Sequence, residues 1–361
     1  MIPVTKSFLP PIKEYMAQVQ RAYDNEWLTN RGELVVELEK KLTNYLQLEE
    51  SKILITNNGT IPLQIALKLL GNGGEIITTP FSYVATTSAI VWENCTPVYV
   101  DINPEYLTID ASKIEDAITE KTTCILATHV FGNPCDIEKI DRIAKKHNLK
   151  VIYDAAHCFG VRYKGKSIFE YGDISTCSFH ATKLFHTGEG GAVFCKDPDL
   201  FHQVYYSHNF GHNGPIAFYG LGVNGKISEL NAAMGLAVLP YMDDILKKRK
   251  AITAEYIKQF ESQPSIKLLQ LFRDTHWNHS YFPILFESED ALLKAEDKLK
   301  ENDILPRRYF YPSLSDLNYV KSQSIEIAND IASRVLCLPI FYELILDDLK
   351  KVVQVINRSA C

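Results

Sequence analysis

Short apolar runs alternate with amphipathic segments from about Ser51 to Cys195. The runs are ILIT (53–56), EIITT (75–79), PVYVDI (97–102), CILATHV (124–130), KVIYDAA (150–156), STCSFH (175–180) and GAVFC (191–195). Helical patterns such as IPLQIALKLL and IEKIDRIAKKH fall between several of them. Continuous apolar strands separated by helices predict an α/β fold with a mainly parallel sheet covered on both faces. Ligands of such sheets sit beyond the carboxyl ends of the strands. YMDDILKKRKAITAEYIKQF predicts one long helix whose KKRK run is solvated surface. HSYFPILF, ALLKAEDKLKEND and a C-terminal helix from about Asp347 follow it. A boundary near that helix divides the chain into a large domain, 1–240, and a smaller C-terminal one, 241–361.

Composition narrows the function classes. A chain of 361 residues fits two domains. With 46% apolar and 23% charged residues it is neither disordered nor fibrous. A net charge of -6 argues against nucleic acid as a partner, yet a phosphorylated small ligand needs only a few local donors. No stretch approaches the ~20 apolar residues of a membrane helix, and MIPVTKSFLPP does not read as a signal peptide. The eight cysteines are scattered, and Cys124, Cys177 and Cys195 lie in strand-like runs as buried thiols would. A reducing cytoplasm is expected, and no metal site.

Four segments carry chemistry. In SFHATKLFHTGEGGAVF a strand ends, Lys183 follows, and a Gly-rich turn leads to the next strand. A desolvated lysine there loses its proton more readily, and the neutral amine can attack an aldehyde to form an imine. An exposed surface lysine would look the same. In VIYDAAHCFG, Asp154 sits at the mouth of a buried strand, where a carboxylate is costly unless paired. A protonated pyridine nitrogen would pair it; a helix cap is the plainer role. His157, on the same loop, could meet the ring face or phenolic oxygen of such a cofactor. In ILITNNGTIPLQIALKLL a strand enters Gly59 and Thr60 at a helix start, where N–H groups and the helix dipole favour phosphate. Tyr83, just past a strand end, could stack on a planar ring or pack inward. These features fall in order at successive strand ends, which independent coincidences do not explain.

The order of these motifs resembles the DegT/StrS-type nucleotide-sugar aminotransferases, of fold type I. The resemblance runs from EWLTNRGELVVELEKKL through NNGT, TTPFSYVATT, VDINPEYLTID, HVFGNPCD, YDAAHCFG, SFHATK, EGGAVF and HNFGHNG to NGKISELNAAMG. It implies pyridoxal 5'-phosphate as cofactor, with the pyridoxamine form between half-reactions. Lys183 would hold the cofactor as a Schiff base and shuttle the proton, Asp154 would hold the pyridine nitrogen, and Tyr83 would stack on the ring. His157 stands where many relatives carry Gln. Gly59, Thr60 and Ser178 would bind the phosphate, and Asn224 would reach the cofactor of a second subunit in a homodimer with shared sites. Many members read Asn-x-Arg-Met where this chain has Asn224-Gly225-Lys226-Ile227, and Lys lacks the fork of Arg.

His180, three residues before Lys183, is similar to members that aminate C4 of a dTDP-linked 4-keto-6-deoxyhexose; members acting on C3 more often carry an aromatic there. L-Glutamate is the usual amino donor, and the products serve O-antigen or related surface glycans. Candidate substrate contacts are Trp27, Thr29, Asn30, Arg31, His180, Arg307 and Arg308, the last two beside aromatics in RRYFYP. Alternatives are a C3 or UDP-sugar aminotransferase, a sugar dehydratase, an amino-acid desulfurase, and a nonenzymatic sensor of the same fold. The dehydratase would carry His in place of Lys183. A sensor needs no electron sink. NNGT is not the G-x-G-x-x-G of dinucleotide binders.

Overall fold

The computed structural model describes residues 1–323 and 325–359. Each of the seven apolar runs forms a strand: β1 (Lys52–Thr56), β2 (Glu75–Thr78), β3 (Thr96–Tyr99), β4 (Thr122–Thr128), β5 (Lys150–Asp154), β6 (Ile174–Ser178) and β7 (Gly191–Cys195). They make one sheet in the order β1-β7-β6-β5-β4-β2-β3. β7 runs antiparallel to both its neighbours, while the pairs from β6 to β3 are parallel. The sheet is therefore mainly parallel, as the apolar runs predict. The inner strands are buried on both faces, so Val/Ile/Leu runs rather than alternation specify them, while the edge strand β3 alternates.

A second core assembles from the C-terminal third around β8 (Ile266–Leu268), β9 (Pro283–Phe286) and β10 (Val335–Cys337), all antiparallel. The helix Met242–Phe260 serves both cores: Met242 and Ile245 pack with the large sheet, and Ile252, Tyr256 and Phe260 with the small one. Ile2–Pro3 pairs with Ile304–Leu305, and Ile2 packs in the second core. One member of the KKRK run departs from the expected solvated face. Arg249 is 4% exposed and donates to the carbonyls of His279 and Ser280, because its position on the helix turns it inward. Lys247, Lys248 and Lys250 are exposed. Phe81, Val130 and Phe131 of the large unit meet Phe310, Leu314 and Ile331 of the smaller one in a third cluster, which walls one side of the cleft described next.

Candidate active site

The carboxyl ends of the parallel strands open into a cavity of about 250 Å³. Gly59, Thr60, Tyr83, Asp154, His157, Ser178, His180, Lys183 and Arg307 all line it. Lys183 lies in the connection from β6 to β7, which folds back on itself: Lys183 N donates to His180 O (2.8 Å) and Thr187 N to Phe179 O (2.9 Å). The cavity leaves Lys183 within reach of solvent, while the surrounding protein desolvates its ammonium and lowers its pKa. Tyr309, Asp154 and other groups pull the other way without reversing the shift.

Asp154 ends β5, 5% exposed. Its Oδ2 accepts from Thr86 Oγ1 at 2.7 Å and its Oδ1 from Ala156 N at 3.1 Å. Ser82 joins Thr86 and Thr128 in the same hydroxyl chain. Burial raises the Asp154 pKa, opposed by the Thr86 and Ala156 hydrogen bonds and the nearby Lys183. His157 Nδ1 accepts from Phe131 N at 3.1 Å, and burial pushes its pKa well down. A neutral ring whose Nδ1 accepts carries its proton on Nε2, which makes that nitrogen a donor. The ring lies parallel to Phe310, centroids 5.6 Å apart.

The turn after β1 departs from the expected open helix start. Asn58 Oδ1 accepts from Thr60 N (2.8 Å) and Ile61 N (2.9 Å), so two of the terminal N–H groups are capped. Small donors still converge there. A Cβ on Gly59 would lie 2.7 Å from Ser178 Cβ, so the turn after β1 and the end of β6 nearly touch. Tyr83 precedes the helix Val84–Trp92 and is 52% exposed against the cavity rather than packed inward.

A model of the DegT/DnrJ/EryC1/StrS aminotransferase family matches residues 11–357. Over 361 aligned residues the chain is 43% identical to a dTDP-4-amino-4,6-dideoxy-D-glucose transaminase of Shigella dysenteriae, covering 98% of each. It is 40% identical over 355 residues to one of Escherichia coli, covering 95% of this chain and 94% of that protein. The crystal structure of DesI in the presence of its TDP-sugar product superposes with a TM-score of 0.92 at 28% identity, over 99% of this chain and 93% of that one. The chain belongs to the DegT/DnrJ/EryC1/StrS aminotransferase family.

For a sugar aminotransferase of this family, several expected contacts lie outside the cavity of the single chain. Trp27, Thr29, Asn30, Arg31, Asn224 and Arg308 are not among its lining residues. Arg31 pairs with the buried Glu39 at 2.6 Å, and Asn224 Oδ1 accepts from Lys226 Nζ at 2.8 Å. The two arginines of RRYFYP separate, since neighbours in extended chain face opposite ways. Arg307 borders the cavity over the Tyr309 ring, whereas Arg308 pairs with Glu289 at 2.6 Å and stacks on Tyr311. Of the two arginines expected to contact substrate, Arg307 alone lines this cavity. Sequence reasoning missed Thr86 and Tyr281, whereas Tyr309 and Phe310 are the aromatics of RRYFYP and line the cavity beside Arg307. Thr86, inside the TTPFSYVATT motif, was within reach of a search for hydroxyl partners of Asp154. Tyr281 arrives from the C-terminal unit, and no local pattern marks it.

Proposed function

We propose that this aminotransferase uses pyridoxal 5'-phosphate to move the amino group of L-glutamate to C4 of a dTDP-linked 4-keto-6-deoxyhexose, forming dTDP-4-amino-4,6-dideoxy-D-glucose. The observation that carries the chemistry is Lys183 and Asp154 on one cavity, each desolvated, with a close-approach turn at Gly59 and Ser178 beside them. These residues fit the cofactor. A buried carboxylate with raised pKa calls for a cationic partner, which a protonated pyridine nitrogen supplies. The sugar assignment is supported by near full-length identity of 43% and 40% to two transaminases of that product.

When bound, pyridoxal phosphate supplies an electron sink for the carbon that loses its proton. Asp154 keeps the pyridine nitrogen protonated, and Thr86 and Ala156 N hold the carboxylate in place. His157 would offer its Nε2 hydrogen to the cofactor's phenolic oxygen, Gly59, Thr60 and Ser178 would hold the phosphate, and Tyr83 would cover the ring. Lys183 Nζ, its pKa lowered by burial, removes the proton from the donor carbon and later returns one at C4 of the sugar. Arg307 and His180 receive the anionic and hydroxyl groups of the substrates at the cavity mouth. Asn224 and the segment 27–31, outside their own chain's cavity, serve the site of a second copy in a homodimer. The seven described cysteines are unpaired and buried, in keeping with a reducing cytoplasm, where the product would feed a surface glycan.

The test is spectroscopic and then chemical. The purified protein with pyridoxal phosphate should show a yellow band that bleaches with L-glutamate and returns with the dTDP-4-keto-6-deoxy sugar. Protein that stays colourless with added cofactor would overturn the cofactor assignment. Bleaching without recovery by that sugar, but with recovery by a UDP-linked or 3-keto sugar, would overturn the substrate.

A further inference from the structure

The side chain that meets the Lys183 amine is a tyrosine from the C-terminal unit. Lys183 Nζ donates to the Tyr281 hydroxyl at 3.1 Å. Tyr281 ends a segment fastened from two sides. Trp277 Nε1 donates to Phe131 O (2.8 Å), Asn278 Nδ2 to His157 O (2.8 Å) and Phe159 O (2.9 Å), and Ser280 Oγ to His157 O (3.1 Å). From behind, Arg249 Nη1 reaches the carbonyls of His279 and Ser280 at 3.3 and 3.1 Å. Among the described residues no carboxylate pairs with Arg249, although it is 4% exposed. Burying a guanidinium to hold two carbonyls is costly, and the loop so held delivers one hydroxyl to the reactive amine.

We propose that Tyr281 is a further catalytic residue: its hydroxyl takes one N–H of Lys183 and thereby aims the amine lone pair into the cavity whenever Lys183 is free to react. The proposal rests on the aminotransferase reading. A lysine released from its bond to cofactor regains freedom about four side-chain torsions, and an unheld amine spends little time in the attacking geometry. An acceptor on one N–H restricts that freedom and leaves the lone pair unshared. Burial favours the uncharged forms on both sides, lowering the Lys183 pKa and raising that of Tyr281. The groups facing Lys183 are Tyr309, Asp154, Cys177 and Tyr83, which oppose its shift. Those facing Tyr281 are Cys337, which adds to its shift, and Arg249 and Arg307, which oppose it. The His157 ring packs 4.5 Å from the Tyr281 ring.

Tyr281→Phe keeps the ring and removes the acceptor. In the cofactor-free full chain, carbamylation by cyanate, which attacks neutral amines, is followed against pH by peptide mass, with exposed Lys248 as internal reference. An ammonium that loses an acceptor is less stable, so the Lys183 midpoint should fall by about one pH unit in Tyr281→Phe while Lys248 stays put. In the holoenzyme kcat should fall about 10- to 100-fold with the donor KM within about twofold. An unmoved Lys183 midpoint overturns the proposal whatever happens to turnover, because packing alone would then be the role. A moved midpoint with kcat within about twofold of wild type overturns it as well. Should Tyr281→Phe fail to fold, Asn278→Ala loosens the mount and keeps the hydroxyl. Its midpoint should move the same way by less, and an unmoved one overturns the proposal. Wild-type protein that neither turns yellow nor accepts an amino group would sink the aminotransferase reading, yet the cyanate midpoints would still report on this contact.

Discussion

The sheet carries a buried carboxylate at each end, and their surroundings differ. At the amino end Glu170, 2% exposed, accepts from the N–H groups of Glu49, Glu50 and Ser51 and from the Ser51 hydroxyl, with Lys196 Nζ at 3.9 Å. At the carboxyl end Asp154 accepts from Thr86 and Ala156 and borders the cavity. A carboxylate has about four acceptor positions. Donors from the chain surround Glu170, which ties the entry of β1 to the loop before β6. Asp154 retains acceptor capacity toward the cleft, and burial alone makes a cation welcome there. The same side-chain chemistry thus serves architecture at one end and catalysis at the other.

The largest effect expected around the catalytic end is that of Lys183→Ala. It should abolish the yellow band and lower turnover at least about 1,000-fold, read by absorbance and product formation, with no loss of thermal stability. Asp154→Asn should lower kcat about 100-fold or more while the cofactor-free protein stays folded, since Thr86 and Ala156 N still find partners. Its pH signature separates it from a structural carboxylate. The folded pKa of Asp154 lies above its ordinary 3.8, so ionisation opposes folding. That cost is fully present above the folded pKa and disappears as pH falls toward the unfolded value. Cofactor-free Asp154→Asn should therefore unfold at higher temperature than wild type at pH 7, with the gap closing near pH 4. Equal melting of the two at pH 7 would remove the contrast.

Glu170→Ala should do the reverse, costing about 2–4 kcal/mol in denaturant unfolding while the holoenzyme keeps kcat within about twofold. The smallest effects should split the arginine pair. Arg307→Ala should raise a substrate KM about tenfold, whereas Arg308→Ala should leave both KM values alone and cost about 1 kcal/mol of stability. Equal KM effects would mean that Arg308 also serves a site.

The sheet was legible because strands buried on both faces must be apolar throughout, and their ends locate a ligand site. Lys183, Asp154, Gly59 and Tyr83 line one cavity because each follows such a strand end. What escaped reading lies where distant segments meet. Tyr281 reaches the Lys183 amine from another unit, and Arg307 and Arg308 share composition but face opposite ways. Asn58 is a residue type that caps helix starts, and the phosphate reading of the turn passed over that local signal. Arg249 sits in a run that composition alone reads as surface.

The near-contact of Gly59 with Ser178 has a counterpart one strand over. A Cβ on Gly191, the first residue of β7, would lie 2.3 Å from Asn58 O and 2.8 Å from Gly59 Cα. Three adjacent strands meet there with almost no side chain between them, so a single added methyl would wedge them apart. That side of the cleft is a fixed jaw. The 307–310 segment lines the same cavity with long side chains, which leave more room to vary.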